Sequence, residues 1–278
     1  MSSGPDTGWR AIIGSSSIMS LALLGDALLY AVLPVYAAEF GLTLPWVGVM
    51  LSANRFIRVF AYGLIARLAQ RLGLRTMCII AAFGASLSTL LYGIGQGPAT
   101  LLFARLLWGL TYGVLVLVTL SYAVRFRTGI GTRVGIGQAI QRIGPILALL
   151  GGAWLVGVIG PNAAFLVLAL PTALTLLIAL SLPKATAAEP EPKAPVSLKR
   201  ARPMDLLFFL QGYGVDGVFA VTITLILARD ASLASAVMGG SALLAMRHFG
   251  EAIAAPLFGW IADHFGNHTG ISMINQCI

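Results

Sequence analysis

Charge and cysteine are both scarce in this chain of 278 residues. Charged residues make up only 10% of it and hydrophobic residues 58%, against roughly 25% and 45–50% in soluble globular domains. The two cysteines, Cys78 and Cys277, are too few for a disulfide framework or a cysteine-rich metal site. A soluble core cannot hide so much apolar surface, so the composition excludes most soluble enzymes and favours a polytopic membrane protein.

Sequence motifs for bound groups are missing as well. No Gly-x-x-x-x-Gly-Lys-Ser phosphate loop occurs, which argues against nucleotide-driven pumping, and His248, His264 and His268 lack the His-Glu-x-x-His spacing of a metal site. The net charge of +8 does not indicate nucleic acid, because the lysines and arginines lie mostly between apolar runs. We therefore predict no metal, no cofactor and no nucleic-acid partner. The apolar stretch after Arg10 exceeds the ~7–15 residues of a signal-peptide core and should remain as an anchor.

Long apolar segments bounded by glycine, proline and charge predict an all-α, polytopic membrane bundle. Unpaired backbone groups in lipid cost several kcal/mol each, so the segments must be helical. Pro34, Pro145, Pro171 and Pro256 fall inside them and predict kinks. The sequence predicts eight spans, at residues 12–38, 45–66, 76–96, 99–124, 134–158, 162–182, 204–228 and 235–261.

The distribution of lysine and arginine predicts the orientation. Twelve of them lie in one set of ends and loops, and Arg229 alone lies in the opposite set. Positive residues concentrate on the cytoplasmic side, so we expect a cytoplasmic N-terminus in a bacterial cytoplasmic membrane. Residues 184–203 include Glu-Pro-Glu-Pro-Lys-Ala-Pro and are too polar and proline-rich to pack a core. We predict a six-span bundle at 1–183, a cytoplasmic linker at 184–203, and two spans of a second bundle at 204–278.

The segments that follow the second and eighth spans repeat each other. Residues 66–75 and 259–268 align without gaps, which matches Gly73 with Gly266 and places Gln70 opposite Asp263. The first and seventh spans each carry an aspartate near the middle, Asp26 and Asp216. This pattern predicts two parallel repeats.

Both segments resemble the signature Gly-x-x-x-Asp-Arg-x-Gly-Arg-Arg of the major facilitator superfamily, which includes drug/proton antiporters and related twelve-span transporters. The first copy departs from the signature at Ala66 and Gln70, and the second at His264. For either copy alone, a purely structural turn is the alternative. In the family this loop latches one access state, so the resemblance implies a gating role for the matching residues, which are Arg71, Gly73, Arg75, Gly259, Asp263 and Gly266.

The fourth span carries a further resemblance. Arg105-Leu-Leu-Trp-Gly109 is similar to the family motif Arg-x-x-Gln-Gly, which is linked to proton coupling, although Trp108 replaces the glutamine and Gly109 also suits plain helix packing. Family members usually have twelve spans, whereas residues 271–278 are too few to cross a further ~30 Å of lipid at ~1.5 Å per residue. We therefore expect either a truncated sequence or a further membrane chain that completes the bundle.

Three carboxylates inside predicted spans are candidates for proton transfer. An ionisable group at mid-span costs ~2.5–3.5 kcal/mol, so each needs a partner or a function. Asp26 and Asp216 each adjoin a glycine in an apolar helix, where desolvation favours proton uptake near neutral pH. Glu251 lies in the eighth span, four residues after Arg247. We predict a proton-coupling role for all three, with a structural ion pair as the alternative for Arg247 and Glu251.

Arginines inside the spans outnumber those carboxylates by five to three, which favours an anionic solute unless acidic residues lie in further spans. Arg55 and Arg58 share a helix face, and the repeat offset places Arg58 opposite Glu251, so both faces should line one cavity. For Arg142, snorkelling to the membrane surface is as plausible as a place in this cavity. We predict that the solute's charge is recognised by Arg55, Arg58, Arg105 and Arg247.

The sequence as a whole predicts a secondary active transporter. It would move a small organic solute across the lipid bilayer by alternating access, driven by protons. A truncated, non-transporting remnant or a membrane scaffold that binds a partner is the alternative. A membrane enzyme ranks third, because the sequence shows no paired carboxylates, nucleophile elbow or metal cluster.

Overall fold

The computed structural model describes residues 5–125, 129–185, 206, 210, 214 and 217–265. Within these ranges every regular element is a helix, which confirms the predicted all-α bundle. The elements are α1 (Pro5–Val32), a 3₁₀ turn (Ala37–Phe40), α2 (Leu44–Leu72), α3 (Leu74–Ile94), α4 (Gly97–Val124), α5 (Ile130–Leu147), a π-helical segment (Ala148–Gly152), α6 (Ala153–Ile159), α7 (Pro161–Ala173), α8 (Thr175–Ser181), α9 (Ala220–Leu227) and α10 (Leu233–Phe265).

Six stretches among the described helices are long and apolar enough to cross a membrane. Four of them belong to α1, α2, α3 and α4. The fifth runs from Ile130 to Ile159 through the π-helical segment, and the sixth runs from Pro161 to Ser181. They correspond to the first six predicted spans. Helix α10 is long enough for an eighth span, but it is less apolar because Arg247, His248 and Glu251 interrupt it.

The prolines affect the helices in different ways. The kink predicted at Pro34 is wrong: α1 ends at Val32, because proline lacks an N–H and disfavours helical geometry in the residue before it. The first span therefore ends six residues earlier than predicted. Pro145 lies inside α5, three residues before the π-helical segment, where the backbone hydrogen-bond ladder changes register. Pro171 precedes the break between α7 and α8, and Pro256 lies inside α10.

Two buried apolar clusters fill the bundle, one toward each end. The cluster nearer the N-terminus runs along α1 as far as Leu23, and the other begins at Leu24. On α4 the boundary falls between Ala104 and Trp108. Asp26, six residues before the end of α1, and Arg105, eight residues after the start of α4, therefore lie at the level where the two clusters meet.

Helix α10 packs along α5 through very close backbone contacts. A methyl group on Gly131 would overlap the carbonyl oxygen of Gly259, and one on Gly135 would lie 2.9 Å from the carbonyl carbon of Ala255. Small residues at such positions let two helix backbones approach closely. This contact holds the final helix against the first six spans and positions its charged residues.

Candidate functional site

A cavity of about 230 Å³ lies between α10 and the helices of the first six spans, near their mid-points. Its wall combines charge with aromatic and amide groups, including Tyr30, Tyr112 and Asn54. Helices α1, α2, α4 and α5 supply one side of the wall, and α9 and α10 supply the other. The charged or titratable residues that line it are Asp26, Arg55, Arg58, Arg142, Arg247, His248 and Glu251.

Glu251 is the centre of a charge cluster in this cavity. Its Oε1 lies 2.9 Å from Nε of Arg247, one turn earlier on α10. Its Oε2 lies 2.9 Å from Nε of Arg142 on α5 and 3.1 Å from Nδ1 of His248. All four side chains are largely buried, with 16–22% of their surface exposed. One carboxylate thus joins a residue of the fifth span to residues of α10.

Asp26 pairs with Arg105, whose side chain is completely buried behind the cavity wall. Arg105 also donates from Nε to the carbonyl oxygen of Met50 at 2.9 Å and from Nη1 to the hydroxyl of Tyr92 at 3.3 Å. The Asp26 side chain is 13% exposed and borders the cavity. Arg105 therefore borders the cavity through Asp26 and through the ring of Tyr30, 5.6 Å away, and its contacts tie α4 to α1, α2 and α3.

A second cavity of about 230 Å³ adjoins the first on the side of the N-terminus. The two share Leu23, Arg58, Tyr112 and Arg142 in their walls. The Arg58 guanidinium lies 4.4 Å from the centre of the Tyr112 ring, a cation–π distance, and its Nε donates to the carbonyl oxygen of Asn54 at 3.1 Å. Arg58 and Tyr112 thus form part of the boundary between the chambers, and the second chamber extends to Arg133 near the end of the bundle.

Asp263 binds the first turn of α5. Its Oδ1 accepts a hydrogen bond from the backbone N–H of Gly131 at 2.8 Å, and its Oδ2 accepts one each from the backbone N–H and the hydroxyl of Thr132, both at 2.7 Å. The first N–H groups of a helix have no partner within the helix and carry partial positive charge, so a carboxylate is stabilising there. The second signature copy therefore fastens α10 to the fifth span.

The first signature copy makes a different set of contacts. Gly73 separates α2 from α3 with a φ of 80°, a conformation that glycine adopts without strain. The N–H of Leu74 donates to the carbonyl oxygen of Ala185 at 2.7 Å, and Arg75 donates to that of Leu180. Among residues 5–125 and 129–185, these contacts are with the end of the sixth span and the residues just after it. At the acidic position of the signature, the first copy has Gln70 where the second copy has Asp263.

The structure brings most of the predicted residues to one of these two places. Arg55, Arg58, Arg247 and Glu251 line the central cavity, as the repeat offset suggests, and Asp26 borders it. The residues predicted to act in gating that are described, Arg71, Gly73, Arg75, Gly259 and Asp263, lie at the end of the bundle where α1 begins. Asp216 and Gly266 lie outside the described residues.

Several cavity residues were not predicted from the sequence. For Arg142 the sequence left both snorkelling and a place in the cavity open, and the structure places it in the cavity wall in contact with Glu251. His248 was considered only as a metal ligand, although its spacing of three from Glu251 places both on one helix face. Tyr30 stands one turn after Asp26, and Asn54 one turn before Arg58. Helical spacing from each lone charge is the signal that would have identified these neighbours.

Comparison with known proteins identifies the family of this chain. A model of the Major Facilitator Superfamily matches residues 16–275. The chain belongs to this superfamily. Its members are membrane transporters and not enzymes, so the predicted family and protein class are confirmed, and the described helices agree with its all-α fold. No curated protein matches the sequence.

The fold is also similar to that in a crystal structure of an auto-inhibited peptide transporter of the POT family. The two share 15% sequence identity with a TM-score of 0.50, so the likeness concerns the fold alone. The alignment covers 90% of this superfamily member and 56% of the peptide transporter. The chain thus spans little more than half the length of that protein.

Proposed function

We propose that this chain carries out proton-coupled, secondary active transport of a small anionic organic solute by alternating access. The observation that carries the proposal is the central cavity, in which Glu251 of α10 is paired with Arg142 of α5. We also propose the three-part organisation 1–183, 184–203 and 204–278, with the N-terminus in the cytoplasm, on the basis of the distribution of positive charge.

The charge of the cavity wall favours an anion. Four arginines line it, at positions 55, 58, 142 and 247. Of the two described carboxylates in the wall, Asp26 pairs with Arg105, which lies outside the cavity, and Glu251 contacts Arg142 and Arg247. Guanidinium groups bind carboxylate and phosphate in a planar, two-pronged geometry. A solute carboxylate near Arg142 and Arg247 would replace Glu251 as their counter-ion.

This replacement provides a physical route to proton coupling. Glu251 and the solute anion compete for the same two guanidinium groups, so solute binding favours protonation of Glu251. Linkage is reciprocal, and protonation of Glu251 must therefore strengthen solute binding by the same factor. The expected result is symport of the anion with a proton.

Alternating access would use two polar contacts that join α5 and α10 in addition to their close glycine packing. The Arg142–Glu251 pair joins them in the cavity, and Asp263 joins them at the end where α1 begins. Release of both contacts would allow the helices to separate at that end and open the second chamber. Their formation would close it, in agreement with the latch role that the resemblance implies.

Proteoliposomes with an internal pH-sensitive dye provide the first test. Monocarboxylates, dicarboxylates, dipeptides and neutral sugars are added under an inward proton gradient. The dipeptides are included because the structural neighbour is a peptide transporter. We expect internal acidification with at least one anionic solute and none with the sugars. If no solute moves protons, the alternative of a non-transporting membrane scaffold is favoured.

The Glu251→Gln variant then tests the coupling. In the wild type, affinity for the transported anion should rise as the pH falls, because protonated Glu251 leaves the arginines to the solute. The variant should bind the anion at least as tightly as the wild type at low pH, with no dependence on pH, and should not couple its movement to protons. Glu39→Gln, at an exposed glutamate of the 3₁₀ turn, is the control and should match the wild type. Wild-type pH dependence in Glu251→Gln would refute the role of Glu251.

A further inference from the structure

A third cavity, of about 720 Å³, lies away from the central one at the end of the bundle where α1 begins. Its lining contains four cationic side chains and shares no residue with the lining of either chamber described above. The remaining lining residues are apolar or small, apart from one threonine. The nine lining residues comprise the cations Arg71, Arg75, Arg125 and Lys184, together with Leu72, Gly73, Thr76, Ile79 and Ala185.

Helix ends and hydrogen bonds to backbone carbonyl groups hold this cavity in shape. The N–H of Leu74, at the start of α3, donates to the carbonyl oxygen of Ala185 at 2.7 Å. The hydroxyl of Tyr122, near the end of α4, donates to the carbonyl oxygen of Pro183 at 2.8 Å. Arg75 donates to the carbonyl oxygen of Leu180. The segment after α8 is thereby tied to both α3 and α4, and the four cations come from four separate parts of the chain.

The cavity carries positive charge that the described residues do not balance. No acidic side chain belongs to its described lining, and no ion pair between described residues involves any of the four cations. The acidic residue of the family signature would stand at the end of α2, but Gln70 occupies that position. Four like charges around one cavity repel each other unless an anion enters. The site therefore favours an anionic ligand.

We propose that this cavity binds the phosphate group of an anionic membrane phospholipid. The location favours a lipid over a soluble anion, because the cavity opens where α2, α3 and α4 begin or end as membrane spans. Leu72 and Ile79 line it beside the cations, and 45% of the Leu72 surface is exposed. Neighbouring apolar side chains on the same helix ends, Ile80 and Val124, are also exposed. A phosphate among the cations and acyl chains along these apolar surfaces would satisfy both parts of the site.

The lipid site shares no lining residue with the central cavity or the second chamber, so it can be tested without the solute. Bound lipid would bridge α2, α3, α4 and the segment after α8. Its phosphate would reduce the repulsion among the four cations and so stabilise the first six spans. The test consequently needs no substrate.

The protein is purified in detergent, phosphatidylglycerol or phosphatidylcholine is added, and bound lipid is counted by native mass spectrometry. The variant R125Q/K184Q removes two cations and spares Arg75, which has a structural hydrogen bond. Loss of one cation near an anionic lipid costs about fivefold in affinity, so the variant should bind phosphatidylglycerol about 30-fold more weakly. The matched control R10Q/R67Q removes two exposed arginines at the same end of the bundle that do not line the cavity.

The wild type should prefer phosphatidylglycerol to phosphatidylcholine, and the control variant should retain this preference. Equal losses in both variants would show a general effect of charge and overturn the proposal. Thermal unfolding with inorganic phosphate or glycerol phosphate distinguishes the source of the anion: equal protection by these soluble anions would overturn the assignment to a lipid. Thermal unfolding without lipid also compares E189Q/E191Q with R125Q/K184Q. If both variants are destabilised by the same amount, carboxylates of the chain itself neutralise the cations of the cavity, and the proposal fails.

Discussion

The buried pair of Asp26 and Arg105 allows the most quantitative prediction. Arg105 is completely buried, and without Asp26 its charge keeps only the neutral acceptors Met50 and Tyr92. Breaking a buried ion pair by removal of one partner costs about 3–5 kcal/mol, because the remaining charge is left uncompensated. We therefore expect Asp26→Asn to lower the free energy of unfolding by an amount in this range.

The double variant D26N/R105M separates the ion pair from other effects of the substitutions. Arg105→Met should cost less than Asp26→Asn, because the Asp26 carboxylate that it leaves behind borders the cavity and is 13% exposed. Neutral side chains of similar volume often replace a buried pair at little cost. The double variant should therefore be more stable than the sum of the two single effects predicts, by about 2–3 kcal/mol, within the range known for contacting residues.

Chemical unfolding in detergent micelles, followed by circular dichroism, measures all three variants. Glu39→Gln is the control, and its effect should stay within about 0.5 kcal/mol, as is usual for an exposed site without special contacts. If the two single effects add up in the double variant to within about 0.5 kcal/mol, the residues are not coupled. The inference that Asp26 compensates the buried charge of Arg105 would then be refuted.

Three further predictions concern the contacts of α5 with α10 and with α1. Gly259→Ala places a methyl group 2.8 Å from the carbonyl carbon of Gly131 and should cost about 1–3 kcal/mol, whereas Gly250→Ala on the same helix meets no atom within 4 Å and should be neutral or stabilising in the same unfolding assay. Asp263→Asn weakens the hydrogen bonds to the first turn of α5 and should increase the labelling of a cysteine introduced into the wall of the second chamber. Unchanged labelling of this cysteine would contradict the latch. Gly144→Ala, which overlaps the backbone of Ser20, should destabilise the bundle far more than Gly151→Ala, which meets open space, and equal melting temperatures would contradict this packing.

The sequence allowed most of the fold to be predicted, because lipid requires long apolar helices and each run is visible by itself. The six spans of the first part correspond to the predicted ones, with shifted ends. The end of the first span was misjudged because the apolar residues continue past Pro34 into the connection, where they pack against the core while the helix stops at Val32. A buried loop and a buried helix share the same hydrophobicity, so composition alone does not separate them.

The site was predictable as a set of charges but not as a set of pairs. A lone charge in an apolar run is conspicuous, which is how Asp26, Arg58 and Glu251 were found. The partner of each charge depends on how the helices rotate and pack, and 79 residues separate Asp26 from Arg105 along the chain. The repeat offset predicted a shared cavity for Arg58 and Glu251, but it held no information on Arg142, whose partner lies on a different helix.

The two cavity carboxylates differ in what their protonation would change. Asp26 is held by an arginine of the first six spans, so a proton on Asp26 alters the interior of that part alone. Glu251 is held partly by Arg142 of α5, so a proton on Glu251 weakens the contact between α5 and α10. Asp263 fastens the same two helices 12 residues further along α10, or about 18 Å away. Because the proposed opening requires both contacts to break, Glu251→Gln and Asp263→Asn should each open the second chamber only in part and together open it by more than the sum.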